Sequence, residues 1–191
     1  LSGIVNGIDT ESWNPATDQY LVAPYHASDL AGKARCKKAL QRELGLRPLK
    51  CPLLGVIARL TSQKGIDLVI DVLPELMELD VQVVILGTGE PHYEQQVGEL
   101  AQRYPGKIAV RNVFDEGLAH RIEAGADMFV MPSRYEPCGL SQLYSLRYGT
   151  VPIVRKTGGL ADTVVAYTPR AFKESRATGF SFTDTSSASL L

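Results

Sequence analysis

Between residues 53 and 65 the chain reads Leu53-Leu54-Gly55-Val56-Ile57-Ala58-Arg59-Leu60-Thr61-Ser62-Gln63-Lys64-Gly65, an apolar run that opens into a polar, basic loop. Leu53–Ala58 is too short for a helix, and a run that is apolar along its whole length has no face to offer water. It reads as a strand buried on both faces. Four more short runs, apolar apart from Gln82, Arg111 and Asn112, follow at Val81–Leu86, Ile108–Val113, Met128–Met131 and Val151–Val154. Helix-like segments come after them at 65–79, 91–104, 118–125, 140–148 and 160–166, with Pro74 expected to kink the first. Strand and helix in alternation predict a doubly wound α/β domain with a parallel sheet. Upstream, Asp29–Leu44 has helical composition, with Cys36, Leu40 and Leu44 on one face and Gly45 as C-cap. Residues 1–28 carry turn signals (Asn6-Gly7, Asn14-Pro15, Ala23-Pro24) and read as an irregular opening segment.

The chain has 191 residues, enough for one substantial core, and 20 Lys and Arg against 21 Asp and Glu. A charge of −1 argues against a generic electrostatic grip on nucleic acid or an anionic membrane. No apolar run approaches the ~20 residues needed to span a bilayer. Cys36, Cys51 and Cys138 are too few and too scattered for a disulfide framework or a zinc site, and point to a reducing compartment. His26, His92 and His120 form no H-x-x-x-H pair, so no metal is expected. The chain opens on Leu1-Ser2-Gly3 and stops at Ser189-Leu190-Leu191, and both ends read as cuts through a longer protein.

Ligands of doubly wound sheets bind beyond the carboxyl ends of the strands, which directs attention to the loops there. In the first, Arg59 and Lys64 flank a helix start; they suit a diphosphate, which Arg grips bidentately and Lys meets as a point charge, or they are two solvated cations. Gly87-Thr88-Gly89 permits close backbone approach or makes an ordinary turn, and no G-x-G-x-x-G or G-x-x-x-x-G-K-[ST] pattern is present, which disfavours a dehydrogenase or an ATPase. The fourth loop, Pro132-Ser133-Arg134-Tyr135-Glu136-Pro137-Cys138-Gly139-Leu140-Ser141, places a carboxylate ahead of helix amides. That arrangement suits a polyol joined to an anion, unless Glu136 only caps the helix. Gly158 and Gly159 make a turn or a second amide cradle. Phe114 either stacks on a base or belongs to the core, and Cys138 reads as a packed residue rather than a nucleophile.

Arg59-Leu60-Thr61-Ser62-Gln63-Lys64-Gly65, Pro132 to Leu140, Tyr148-Gly149-Thr150 and Lys156-Thr157-Gly158-Gly159-Leu160, in this order, closely resemble the glycogen and starch synthases. Ile4-Val5-Asn6-Gly7-Ile8-Asp9 and Trp13-Asn14-Pro15 look like the start of that family's C-terminal domain, so the resemblance covers essentially the whole chain. It implies one half of a GT-B architecture, two Rossmann-like domains around a cleft, with residues 1–28 coming from the interdomain hinge and 29–191 forming the nucleotide-sugar domain. It implies glucose transfer from ADP-glucose to the 4-hydroxyl of an α-1,4-glucan with retention, no metal or other cofactor, and a bacterial cytoplasm or plastid stroma.

By the same resemblance Arg59 and Lys64 hold the diphosphate, and Glu136 holds the glucose hydroxyls and supports positive charge on the ring. Backbone amides of Cys138, Gly139 and Leu140, with Ser141 beside them, meet sugar and phosphate, and Phe114 stacks on adenine. Glucan contacts belong to the N-terminal domain, absent from this sequence. Many retaining GT-B transferases, the sucrose-phosphate and trehalose-phosphate types among them, carry a second Glu eight residues after the first; here that position is Tyr144, which favours the glycogen and starch branch. A UDP- or GDP-sugar transferase and a non-catalytic nucleotide- or glucan-binding module are the alternatives.

Overall fold

The computed structural model describes residues 4–191. Six parallel strands, β1 (Leu53–Ile57), β2 (Gln82–Leu86), β3 (Ile108–Arg111), β4 (Met128–Met131), β5 (Val151–Arg155) and β6 (Phe180–Phe182), form one sheet in the order β3-β2-β1-β4-β5-β6. The strand order reverses between β1 and β4, and such a reversal opens a crevice at the carboxyl edge. The five expected strands are all present, within a few residues of the predicted ends.

Alternate residues explain the layers. Leu54 and Val56 of β1, with Val83 and Ile85 of β2, pack on α2 (Ile66–Leu76) and α3 (Pro91–Arg103) through Ile66, Val69, Leu73 and Val97. Leu53, Val84 and Leu86 face the other way, onto Leu40 of α1 (Ala31–Glu43) and Leu118 and Ile122 of α4 (Glu116–Gly125). On this second face Phe129, Met131 and Val154 meet Leu160 of α6 (Gly158–Thr163), beside α5 (Ser141–Arg147). Burial on both faces is what the uninterrupted apolar runs require.

Local signals fix several boundaries. At the end of α1 the Leu46 amide donates to Gln41 O at 2.8 Å and Gly45 N to Arg42 O at 3.3 Å, with Gly45 at φ +71°. This is a Schellman motif, and Gly45 sits just past the helix where it was expected. Asp115 caps α4 by accepting from Leu118 N at 2.8 Å, which starts that helix two residues earlier than predicted. α2 continues through Pro74, whose missing N–H falls in the last turn, and ends at Leu76, short of the expected 79. Two short elements were not anticipated, α7 (Pro169–Lys173) and β6, and a short helix, α8 (Ser187–Leu190), takes in Ser189 and Leu190.

The opening segment holds no helix or strand in its described part, yet it is packed. The Trp13 ring lies between His120 and Tyr144, at centroid distances of 3.8 and 3.7 Å and within 15° of parallel to each. Asp18 Oδ2 is 2.7 Å from His120 Nδ1 and accepts from the Tyr148 hydroxyl at 2.5 Å, while Tyr25 Oη donates to Tyr148 O at 2.9 Å. Residues 13–25 thus lie against α4 and α5 through one aromatic stack and one buried carboxylate.

Below them is a buried pair of ionisable groups. The Lys33 ammonium donates to Glu123 O, Ala124 O and Thr150 Oγ1 at 3.3, 3.0 and 2.7 Å, satisfying carbonyls at the C-terminal end of α4. Burial lowers its pKa from 10.5 to about 8. Burial raises the Glu123 carboxyl from 4.5 to about 8, against the opposing effects of Ser145 and Lys33. Ser145 Oγ lies 2.9 Å from both Glu123 Oε2 and Ser141 O, and one hydroxyl proton cannot serve two acceptors. A protonated Glu123 resolves this by donating to Ser145, which donates to Ser141.

Between pH 4.5 and 8 the native state holds a Glu123 proton that the unfolded chain has released, so stability falls as pH rises through that window. Above pH 8 the unfolded chain holds the Lys33 proton longer, which favours the folded state, while the raised thiols of Cys36 and Cys51 act in the opposite direction. Denaturant midpoints measured from pH 5 to 8 should therefore fall. Glu123→Gln should remove that decline, by more than about 1 kcal/mol. Equal declines in the two proteins would contradict the assignment.

Candidate active site

At the carboxyl edge, beside the strand-order reversal, a cavity of about 430 Å³ is lined by Trp13, Arg59, Gly87, Phe114, Glu123 and Tyr144, among others. A smaller recess of about 30 Å³ adjoins it between the ends of β1 and β4 and includes Lys64, Ser133 and Glu136. Ala58 and Ser141 line both.

Lys64 ends a 3-10 turn (Ser62–Lys64) that bridges β1 to α2. Its Nζ is 2.5 Å from Glu136 Oε2, which also accepts from Ser133 Oγ at 3.2 Å. Glu136 is buried, and its Oε1 accepts no hydrogen bond among the described residues. Nor does Glu136 cap α5: the N-cap is Leu140, without a side-chain hydrogen bond. The carboxylate therefore turns inward, toward the loop after β1.

Other contacts hold these two loops together. Arg134 pairs with Asp67 through two 2.6 Å bonds and donates to Ser62 O at 2.6 Å, while its amide donates to Gln63 O at 2.9 Å. The guanidinium holds the Asp67 carboxyl below its usual range, chiefly by hydrogen bonding. From the end of β5, Arg155 donates to Ser133 O at 2.8 Å and to Arg134 O. Two of the loop's neighbouring arginines are thus structural fasteners.

Arg59 differs from both. It is exposed and borders the main cavity, and its side chain makes no hydrogen bond or ion pair among the described residues. Lys64 is already matched by a carboxylate, whereas Arg59 has no ion-pair partner among the described residues, in a cavity that Asp115 and Glu116 also line. Phe114 is 94% exposed on the cavity wall, which rules out the core reading of that ring.

Cys138 Sγ accepts from Asn6 N at 3.3 Å, and the backbone amides of Cys138, Gly139 and Leu140 donate to nothing among the described residues. Gly158 and Gly159 pack behind this loop. A Cβ on Gly158 would stand 2.1 Å from Glu136 O and one on Gly159 2.0 Å from Cys138 O. The Gly159 amide is already donated to Glu136 O at 3.0 Å, so it holds the Glu136 loop in place and is not free to meet an anion.

The structure thus gathers Arg59, Lys64, Phe114, Glu136 and Ser141 around connected recesses, with Cys138, Gly139 and Leu140 in the adjoining loop. Trp13, Glu123, Arg134, Gln142 and Arg155 also shape the site but received no role from the sequence. Trp13, the single tryptophan, lies in a turn-rich segment that carries no periodicity to place it. The arginines' partners are far away in the chain, and local pattern does not reach them.

Residues 37–190 match the family described as glycosyl transferases group 1. The chain is similar to the glycogen synthase of Anaeromyxobacter dehalogenans strain 2CP-C, 56% identical over 193 residues that cover 100% of this chain and 40% of the relative. It is also similar to the glycogen synthase of Dechloromonas aromatica, 59% identical over 94% of this chain and 37% of the relative. The chain therefore spans about two fifths of the length of these curated relatives. Among solved structures, the catalytic domain of starch synthase IV from Arabidopsis thaliana, bound to ADP and acarbose, superposes with a TM-score of 0.92. It is 40% identical, over 98% of this chain and 39% of that one. The C-terminal domain of a group 1 glycosyl transferase, LpcC of Francisella tularensis, shares the fold with a TM-score of 0.62 and 18% identity, over 95% and 83% of the two chains. With its sheet order, its carboxyl-edge crevice and a family match over most of its length, this chain belongs to the group 1 glycosyl transferases.

Proposed function

We propose that this chain is the donor-binding half of a glycogen or starch synthase, transferring glucose from ADP-glucose to the 4-hydroxyl of an α-1,4-glucan with retention of configuration. The observation that carries the reading is the Lys64–Glu136 pair beside a cavity walled by the unpaired Arg59 and the exposed Phe114. In support, the starch synthase IV structure described above was solved with ADP.

On this reading the donor diphosphate lies between Arg59, Lys64 and the amides of the loop at Gly139, with adenine against Phe114. An incoming anion shares the Lys64 ammonium held on Oε2, while Glu136 accepts from glucose hydroxyls through Oε1, which no described residue occupies. As the bond to the sugar breaks, negative charge grows on the diphosphate and positive charge on the ring. Arg59 and Lys64 stabilise the first and Glu136 the second, so the barrier falls as well as the donor binding. Charge-assisted contacts of this kind contribute roughly 1.5–3 kcal/mol each. No metal or other cofactor enters the reading. The glucan is bound by a second domain, so the 191-residue chain should bind nucleotide weakly and transfer glucose negligibly. The bacterial relatives support a bacterial cytoplasmic setting over a plastid one.

Calorimetric titration of the chain with ADP, UDP and GDP tests the donor assignment. ADP should bind best, and Arg59→Ala and Lys64→Ala should each weaken it at least tenfold, about 1.4 kcal/mol. Preference for UDP or GDP would move the donor to another nucleotide sugar. ADP binding insensitive to both substitutions would place the nucleotide elsewhere.

A further inference from the structure

Gln142 is fully buried in the first turn of α5, and its carboxamide is asymmetrically satisfied. Nε2 is 3.1 Å from Cys138 O, from Gly139 O and from Thr163 Oγ1, whose own proton goes to Gly159 O at 2.6 Å. Three acceptors around one end fix it as the NH2 end. The other end, Oε1, is buried without a partner among the described residues. A buried unpaired acceptor is uncommon in a native fold and calls for a compensating gain.

We propose that the gain is aim: Gln142 is a positioning residue that turns the N–H groups of Gly139 and Leu140 outward. In a trans peptide the N–H of one residue is antiparallel to the C=O of the residue before it, and no cis bond occurs among the described residues. Drawing Cys138 O and Gly139 O inward to Nε2 therefore turns the amides of Gly139 and Leu140 to the opposite side, where neither meets an acceptor among the described residues. Gly139 lies at φ +71° and Leu140 at φ −119°, ψ −34°, a left-handed residue followed by a right-handed one. Successive amides in such a pair converge on a concavity that suits anionic oxygen. Approach this close needs glycine, since a Cβ at Gly139 would stand 2.4 Å from Oε1. The assignment rests on the proposed function only for the anion's identity, a nucleoside diphosphate.

The test uses the 15N-labelled chain with ADP and inorganic pyrophosphate as probes, in wild type, Gln142→Glu and Gln142→Met. An ionised Glu cannot donate to either carbonyl, whereas a protonated one donates to one of them. At pH 8 Gln142→Glu should displace the Gly139 and Leu140 amide resonances and weaken ADP and pyrophosphate at least tenfold. Both effects should reverse toward wild type by pH 5. Gln142→Met should show the same losses at every pH, and it decides the matter if the Glu variant unfolds at pH 8. Wild type that binds neither probe would count against the proposed function of this chain, and the amide resonances of the unliganded variants would still judge Gln142. Resonances unchanged in both variants, or affinities within twofold of wild type, would overturn the proposal.

Discussion

Lys64 and Glu136 stand 72 positions apart in the chain, yet their charged atoms meet at 2.5 Å over the point where the sheet reverses its strand order. Below them β1 and β4 are paired only at Leu54↔Met128 and Gly55↔Phe129, so the two loops leave the sheet with little backbone to join them. Above the sheet the bond from the Arg134 amide to Gln63 O joins them, together with the ion pair. Both partners are mostly withdrawn from water, and a buried carboxylate stripped of its cation is strongly destabilising, which makes the contact a constraint on the geometry of both loops. Arg134 and Asp67 brace one side of it, Arg155 grips the carbonyls on the other, and Gly158–Gly159 let α6 approach from behind. The position of the Glu136 carboxylate is therefore over-determined, as a site requires if it is to meet a ligand without reorganising.

The pair also sets the charge of the site. Joined to Glu136, Lys64 adds no net charge, and Arg59 faces a cavity that Asp115 and Glu116 also line. Under the function proposed above, a diphosphate meets Arg59 and shares the Lys64 ammonium with Glu136, which ties the anion position to the carboxylate assigned to the sugar.

The parallel sheet was legible because burial on both faces leaves a written mark: Leu53–Ala58 is apolar throughout and Val81–Leu86 is apolar but for Gln82, which is itself buried. Gly45 was equally readable, since a Schellman cap is local chemistry. β6 was not, because Phe180-Ser181-Phe182 is three residues long and takes its strand character from pairing with Ile153–Arg155. Thr168-Pro169 carried a helix-start signal, with Thr168 Oγ1 accepting from Ala171 N, but the five-residue α7 is too short for periodicity to reveal. At the site, residue types and loop positions pointed to Arg59, Lys64 and Glu136. That Lys64 is matched by Glu136, that the Gly159 amide is spent on Glu136 O, and that Trp13 closes one wall are facts of long-range packing.

The account stands on the diphosphate position at the reversal point, and a crystal structure of this chain with ADP tests it most directly. It predicts diphosphate oxygens within hydrogen-bond reach of Arg59, Lys64 and the Gly139 and Leu140 amides, with the adenine on Phe114. Nucleotide bound at the amino edge of the sheet, or at the carboxyl edge without contact to Arg59 and Lys64, would contradict it.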